Sequence, residues 1–209
     1  YISDNINKFS NFIYEFVIKS DTTNDFLYPS NGSSNRFYLK LSPEKISDDS
    51  YYKFTYDNEI YFDNNKSTNF FFVDNSFGFS ESLGKKLKTS NAFSLGGLNF
   101  KGFDYRGIGP FDNKVYLGGN KYFTSTIGYG TSFIFDDKDN MKFKIFYTTG
   151  SLWDSDYVEN DDIDIRSSLG LSFDILTAVG PISLSYSVPL DKNDSDRTKS
   201  FNFSIGTSF

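Results

Sequence analysis

The sequence predicts an all-β fold, an antiparallel transmembrane β-barrel, on three observations. Aromatic residues make up 20% of the 209 positions, with 25 Phe and 15 Tyr, yet the mean hydropathy is only -0.44. A barrel accounts for both, because aromatic side chains serve its lipid face and interfacial girdles while a polar lumen keeps the average low. Residues alternate between apolar and polar with a period of two, as a strand with lipid on one side and water on the other requires. No stretch approaches the roughly 20 consecutive apolar residues of a spanning helix, so any crossing must be made by strands.

Along the chain, candidate strands lie near Phe9 to Lys19, Arg36 to Ser42, Tyr51 to Phe62 and Phe70 to Ser80. Tyr122 to Phe135 sets Phe123, Ile127, Tyr129, Phe133 and Phe135 opposite Thr124, Thr126, Gly128, Gly130 and Ser132, a length that suits a tilted spanning strand. Lys142 to Thr149 sets Phe143, Ile145 and Tyr147 against Lys142, Lys144, Phe146 and Thr148, and lysines within a strand point to a wet lumen. Ser168 to Asp174 alternates Leu169, Leu171 and Phe173 with Ser168, Gly170, Ser172 and Asp174. Ile182, Leu184, Tyr186 and Val188 then face away from Ser183, Ser185 and Ser187. Finally, Phe201, Phe203, Ile205 and Phe209 oppose Asn202, Ser204, Gly206 and Ser208 in the last strand, giving about nine strands in all.

A soluble antiparallel sandwich also alternates, but its solvent face is usually rich in charge. Here the polar faces are mostly Ser, Thr, Gly and Asn, which suit a crowded, hydrated interior. Loop lengths add a second test, since outer-membrane barrels alternate short periplasmic turns with longer outer loops. With the C-terminus periplasmic, residues 191–199, 154–165 and 83–119 fall outside, and 176–181, 136–140 and 63–68 inside. Two connections break the pattern: residues 20–35 are long yet periplasmic, and 43–50 are short yet outside.

Composition removes several function classes. Without Cys or His there is no disulfide framework, no thiolate or imidazole metal site and no histidine general base, and no cofactor is expected. A net charge of -6 gives no basic footprint for nucleic acid. Tyr1 to Lys8 lacks the basic and apolar regions of a signal peptide, so the expectation is a mature or truncated chain. Trp153, the only Trp, reads as an interfacial anchor. The acids between Asp154 and Asp164 do not follow the EF-hand spacing and read as a solvated outer loop.

The 83–119 connection is too long for a hairpin, and its glycines alternate with large apolar residues. Such a chain can turn tightly and pack against a wall, as a loop folded back into the lumen would. It carries Leu95-Gly96-Gly97, Lys101-Gly102-Phe103 and Gly107-Ile108-Gly109-Pro110 in that order. The series resembles the sixth extracellular loop of the BamA-type outer-membrane protein assembly factors, in the bacterial surface antigen superfamily. Gly180-Pro181-Ile182 with Tyr186 to Leu190, and the ending Phe201 to Phe209, resemble that family's last two strands. Asp25 to Gly32 resembles one of its periplasmic turns.

The resemblance implies that residues 1–209 are about nine C-terminal strands of a sixteen-stranded barrel, without its first half and its periplasmic POTRA modules. It also implies an outer-membrane insertase of the BAM complex type, with unfolded barrel proteins as clients, accessory lipoproteins as partners and a lateral seam at the last strand. Phe201, Phe203, Gly206 and Phe209 would form the seam and terminal signal, Gly206 permitting a kink. No covalent chemistry is implied, so an enzyme is not expected. Where the family has Arg paired with an Asp in Phe-x-Asp-x-Gly, this sequence has Lys101 and, in Phe146 to Gly150, Thr148. Lys lacks the bidentate fork of Arg, and Thr does not ask for one. Lys101 is therefore expected to face the lumen near Thr148 and Gly150 but to pair with another acid, such as Asp57, Glu59, Asp74 or Asp174. A translocation barrel of the same superfamily, a passive porin or adhesin, and a soluble ligand-binding β-domain are the alternative functions.

Overall fold

A computed structural model of the chain describes residues 10–63, 68–135, 138–158, 162–177 and 180–206. Nine strands form one antiparallel sheet: β1 (Tyr14–Asp21), β2 (Gly32–Ser42), β3 (Tyr51–Asp63), β4 (Asn69–Ser82), β8 (Lys121–Phe135), β9 (Lys138–Trp153), β10 (Arg166–Thr177), β11 (Gly180–Asp191) and β13 (Phe201–Ile205). They neighbour one another in chain order, as a meander of hairpins does. Four two-residue strands lie in the loops: β5 (Gly102–Phe103), β6 (Phe111–Asp112), β7 (Val115–Tyr116) and β12 (Thr198–Lys199). The sheet is open, with β1 and β13 at its two edges.

The expected faces are in place. Leu171 pairs across to Ile145 and Tyr186, and Ser172 to Lys144 and Ser185, so apolar and polar side chains form continuous stripes. Ile127, Ile145, Leu169, Leu171, Tyr186, Phe201, Phe203 and Ile205 are exposed on the outer face, whereas Ser132, Thr148, Ser168, Ser172, Ser185 and Asn202 are buried on the other. Side chains from β1 through β13 line one chamber of about 600 Å³, so the sheet curves around a common lumen.

Most strands run longer than their alternation alone suggested. At about 3.4 Å per residue, the 15 and 16 residues of β8 and β9 extend roughly 50 Å, beyond an apolar band of about 25 Å. Their ends therefore stand clear of the lipid and wall a space in which a loop can dock. The two edge strands are the exceptions: β1 begins at Tyr14 instead of near Phe9, which lies outside the described residues, and the last strand's pairing ends at Ile205, where Gly206 leaves the extended region at φ 95°. Phe209 lies outside the described residues.

The hydrophobic core sits inside the lumen. Phe93, Leu95, Phe100, Phe103 and Ile108 of the 83–119 loop pack with Leu152 of β9, and Tyr122 of β8 lies against them. The loop therefore contributes all but one of the cluster's residues and occupies part of the lumen, as the glycine-apolar pattern predicted.

Candidate functional site

The loop closes at its base, where the Phe93 and Gly119 backbones exchange hydrogen bonds of 2.8 and 3.1 Å. Its tip is built locally. The Gly97 N–H donates to the Phe103 carbonyl at 2.8 Å, the Gly107 N–H to the Asp104 carbonyl at 2.9 Å, and Leu95 bridges Ile108. Phe100 and Phe103 meet edge to face with centroids 5.2 Å apart. Past Gly109 and Pro110, β6 and β7 form a short hairpin whose Phe111 and Tyr116 rings are 4.9 Å apart. These bonds satisfy part of the loop's backbone from within, which lowers the cost of placing it in the lumen.

The Lys101-Gly102-Phe103 motif lies directly against the wall. Ser168 of β10 donates its hydroxyl to the Lys101 carbonyl at 2.6 Å. Gly102 has φ 100°, and a β-carbon there would stand 3.0 Å from the Ser168 Cβ. A side chain would meet both strain and a wall, so the position requires glycine. Gly109 lies against the Leu152 side chain, and Gly150 of β9 pairs with Thr124 and Arg166 on its two sides.

Lys101 lines the chamber, as expected, but the expected ion pair is absent among the described residues. Its Nζ stands 5.0 Å from the centre of the Phe146 ring, a cation–π contact. Lys144 has taken Asp174 at 3.0 Å, and Thr148 spends its hydroxyl on Thr126 at 2.9 Å. Burial pushes the Lys101 ammonium below its ordinary range; Lys144 adds to the effect, and Asp174 and Asp74 oppose it. Docking thus depends on the motif's backbone and on Phe103, with little help from the cation. Lys101→Met is therefore expected to leave the heat-unfolding midpoint in detergent within a few degrees of the parent, since the carbonyl, Gly102 and Phe103 remain. A large drop would mean that the ammonium anchors the loop.

The sequence reading missed the loop's second attachment, to the last hairpin. β5 pairs with β12, setting Phe103 against Thr198 and Gly102 against Lys199. The Asp104 N–H donates to the Arg197 carbonyl at 2.9 Å, and the Arg197 N–H to the Gly107 carbonyl at 3.0 Å. The Arg197 guanidinium reaches the Tyr105 carbonyl at 3.0 Å and covers the Tyr116 ring, whose hydroxyl donates to the Ser195 carbonyl. Asp196 in turn accepts from Arg166 of β10 through Nε at 3.0 Å and Nη2 at 3.2 Å, both side chains being buried. Alternation placed Ser168 in the lumen, but no periodic signal links Arg166 to an acid 30 residues later.

The two ends of β13 consequently differ. At the loop end, the Ser187 N–H donates to the Ser200 carbonyl at 2.8 Å, and the β5–β12 pairing lies just beyond. At the other end, the Gly206 N–H donates to the Pro181 carbonyl at 2.8 Å, while nothing lies within 4 Å of the place a β-carbon would occupy. Asn202 Nδ2 and Ser187 Oγ, on the inner side of this last pairing, are buried without a hydrogen-bond partner among the described residues.

Comparison with known proteins agrees with this architecture. The crystal structure of BamA from Haemophilus ducreyi lacking POTRA domains 1–3 superposes with a TM-score of 0.80 at 23% sequence identity. The match covers 92% of this chain and 41% of that one, so the chain spans less than half the length of the protein it matches. It supports the fold: strands of an antiparallel β-barrel. Residues 2–209 match the Omp85 superfamily domain, and the chain belongs to the Omp85 superfamily of outer-membrane insertion and translocation barrels.

Proposed function

We propose that the chain is the C-terminal part of a BamA-type insertase, whose lateral seam at β13 assists the folding and insertion of other outer-membrane β-barrel proteins. The observation that carries the reading is the weak last pairing. β13 has five residues, Phe201–Ile205, where β8 and β9 have 15 and 16. β13 is the last strand of the sheet, and a last strand whose closing partner lets go presents backbone N–H and C=O groups to which a client strand can add. Phe201 and Phe203 face outward beside that edge, and Gly206 allows the chain to leave it.

In this reading the C-terminus is periplasmic and the 83–119 loop external. The lipid bilayer, unfolded barrel clients and accessory lipoproteins are the partners, and the process needs no covalent step. The apolar core that the loop builds within the lumen argues against a passive diffusion channel, which works with an open, wet pore.

Depleting the full-length protein tests the proposal directly. Other barrel proteins should fall in the outer membrane while their precursors accumulate, and unchanged client levels would overturn the insertase role. Restoring the depleted cells with Gly206→Val examines the seam. A β-branched residue is disfavoured at positive φ, by about 1–2 kcal/mol, so the strand should continue straight and client assembly should slow several-fold. Full complementation would remove Gly206 from the mechanism.

A further inference from the structure

We infer that residues 22–31, the connection between β1 and β2, form a strap that crosses the lumen at the end opposite the loop and covers that end of the chamber, with Lys142 of β9 as its latch. This inference does not depend on the insertase reading. It begins from the turn that is too long for its side of the barrel. The connection is ordered by its own side chains: Asp25 Oδ1 accepts from the Leu27 and Tyr28 N–H groups at 2.8 and 2.6 Å, and Asn24 Oδ1 from the Ser30 and Asn31 N–H groups at 2.9 and 3.0 Å. Asn31 is fastened to Asp63, at the end of β3, at 2.7 Å.

From there the strap reaches the far wall. Lys142 Nζ donates to the Tyr28 carbonyl at 2.7 Å and to the Pro29 carbonyl at 3.1 Å. β2 and β9 are separated in the sheet by β3, β4 and β8. Four strand spacings of about 4.8 Å amount to roughly 19 Å of wall, so a chain joining the two must cross on the concave side.

The latch is built for this purpose. Lys142 is 1% exposed, and its ammonium sits 4.6 Å from the centre of the Phe70 ring and 5.6 Å from that of Tyr28. Both Lys142 and Lys144 line the chamber, but Lys144 is the more exposed of the two and bridges Asp174. A buried ammonium is costly unless its protons are taken, and here two strap carbonyls take them. Tyr28 itself is enclosed: burial pushes its phenol up to about 12, with Asp174 contributing.

The strap and the loop bound the same space. Tyr28 and Pro29 line the chamber on one side and Leu95, Leu98 and Lys101 on the other, with the inner end of β13, Ser204 and Gly206, at its edge. With the strap latched, the turn end of the lumen is covered; released, the lumen opens on that side.

The test uses the full-length protein in planar bilayers and in vesicles. The chain has no Cys, so once any cysteine elsewhere in the full-length protein is replaced, Ser172→Cys, buried on the chamber wall, is the single reporter for a membrane-impermeant maleimide. Lys142→Ala is expected to raise conductance several-fold and to speed labelling of that cysteine by tenfold or more. Asn24→Ala with Asp25→Ala loosens the strap without touching the wall, and should do the same even if Lys142→Ala fails to fold. Folded variants, judged by heat-modifiable mobility in gels, that keep parental conductance and labelling would overturn the strap.

Discussion

Replacing Phe103 by Ala is expected to release the loop from the barrel wall and to abolish complementation of a depleted strain. Phe103 is 0% exposed and lies in a hydrophobic cluster with Phe93, Leu95, Phe100, Ile108 and Leu152 around it. Large-to-small truncation at such a site costs about 3–5 kcal/mol, the lost transfer energy plus the cavity left behind. Little else replaces it, because Lys101 contributes a cation–π contact in place of an ion pair, and the β5–β12 pairing is two residues long. The loop should become accessible to protease between residues 83 and 119 while the strands stay protected. An unchanged digestion pattern would show that the backbone contacts to Ser168 and Arg197 hold the loop alone.

Breaking the Arg166–Asp196 pair should have the other large effect. The two side chains are 3% and 0% exposed and share two hydrogen bonds, and Arg166 gives a third to the Asp164 carbonyl at 2.7 Å. Removing one partner leaves the other buried without its main counter-charge, Arg166 keeping only Asp164 and Asp196 only the Asn193 N–H, at a cost of about 3–5 kcal/mol, whereas removing both costs far less. Arg166→Met or Asp196→Asn should therefore lower the heat-unfolding midpoint markedly, and the double variant Arg166→Met with Asp196→Leu should recover much of the loss. Strict additivity of the two single effects would mean the residues act independently. The same variants should loosen the 192–199 connection and with it the loop end of β13, which Arg166 holds from the neighbouring hairpin.

These expectations come from different layers of information. Leu169 against Ser168, and Phe201 against Asn202, could be assigned to faces from the chain alone, because a strand's side chains alternate whatever it packs against. The loop's return into the lumen was legible for a similar reason: apolar residues interleaved with glycine, in a connection too long for a hairpin, have to be buried somewhere. The extent of β9 was not legible, since Gly150 and Ser151 end the clear alternation while the ladder continues through Trp153. Nor was the register break between Phe133 and Ile134.

Partner choice was the hardest to anticipate. Four acids were open to Lys101 by type, and the lumen settled the matter by proximity: Lys144 already held Asp174, and Phe146 lay under the Lys101 ammonium. Lys142 and Lys144, two residues apart on one face, looked equivalent in sequence, yet one is buried against strap carbonyls and the other bridges an acid on the chamber wall.

Sequence alone determined the class of fold, the faces of the strands and the segment that occupies part of the lumen, because these follow from a local period and from the need to bury apolar side chains. Only the tertiary structure decided that the loop is zipped to the last hairpin, that Arg166 holds Asp196, and that an over-long turn spans the lumen to Lys142. Those contacts join residues from 30 to more than 100 positions apart. They depend on the curvature of the whole sheet, which brings distant strands to face one another across the lumen and which no local pattern encodes.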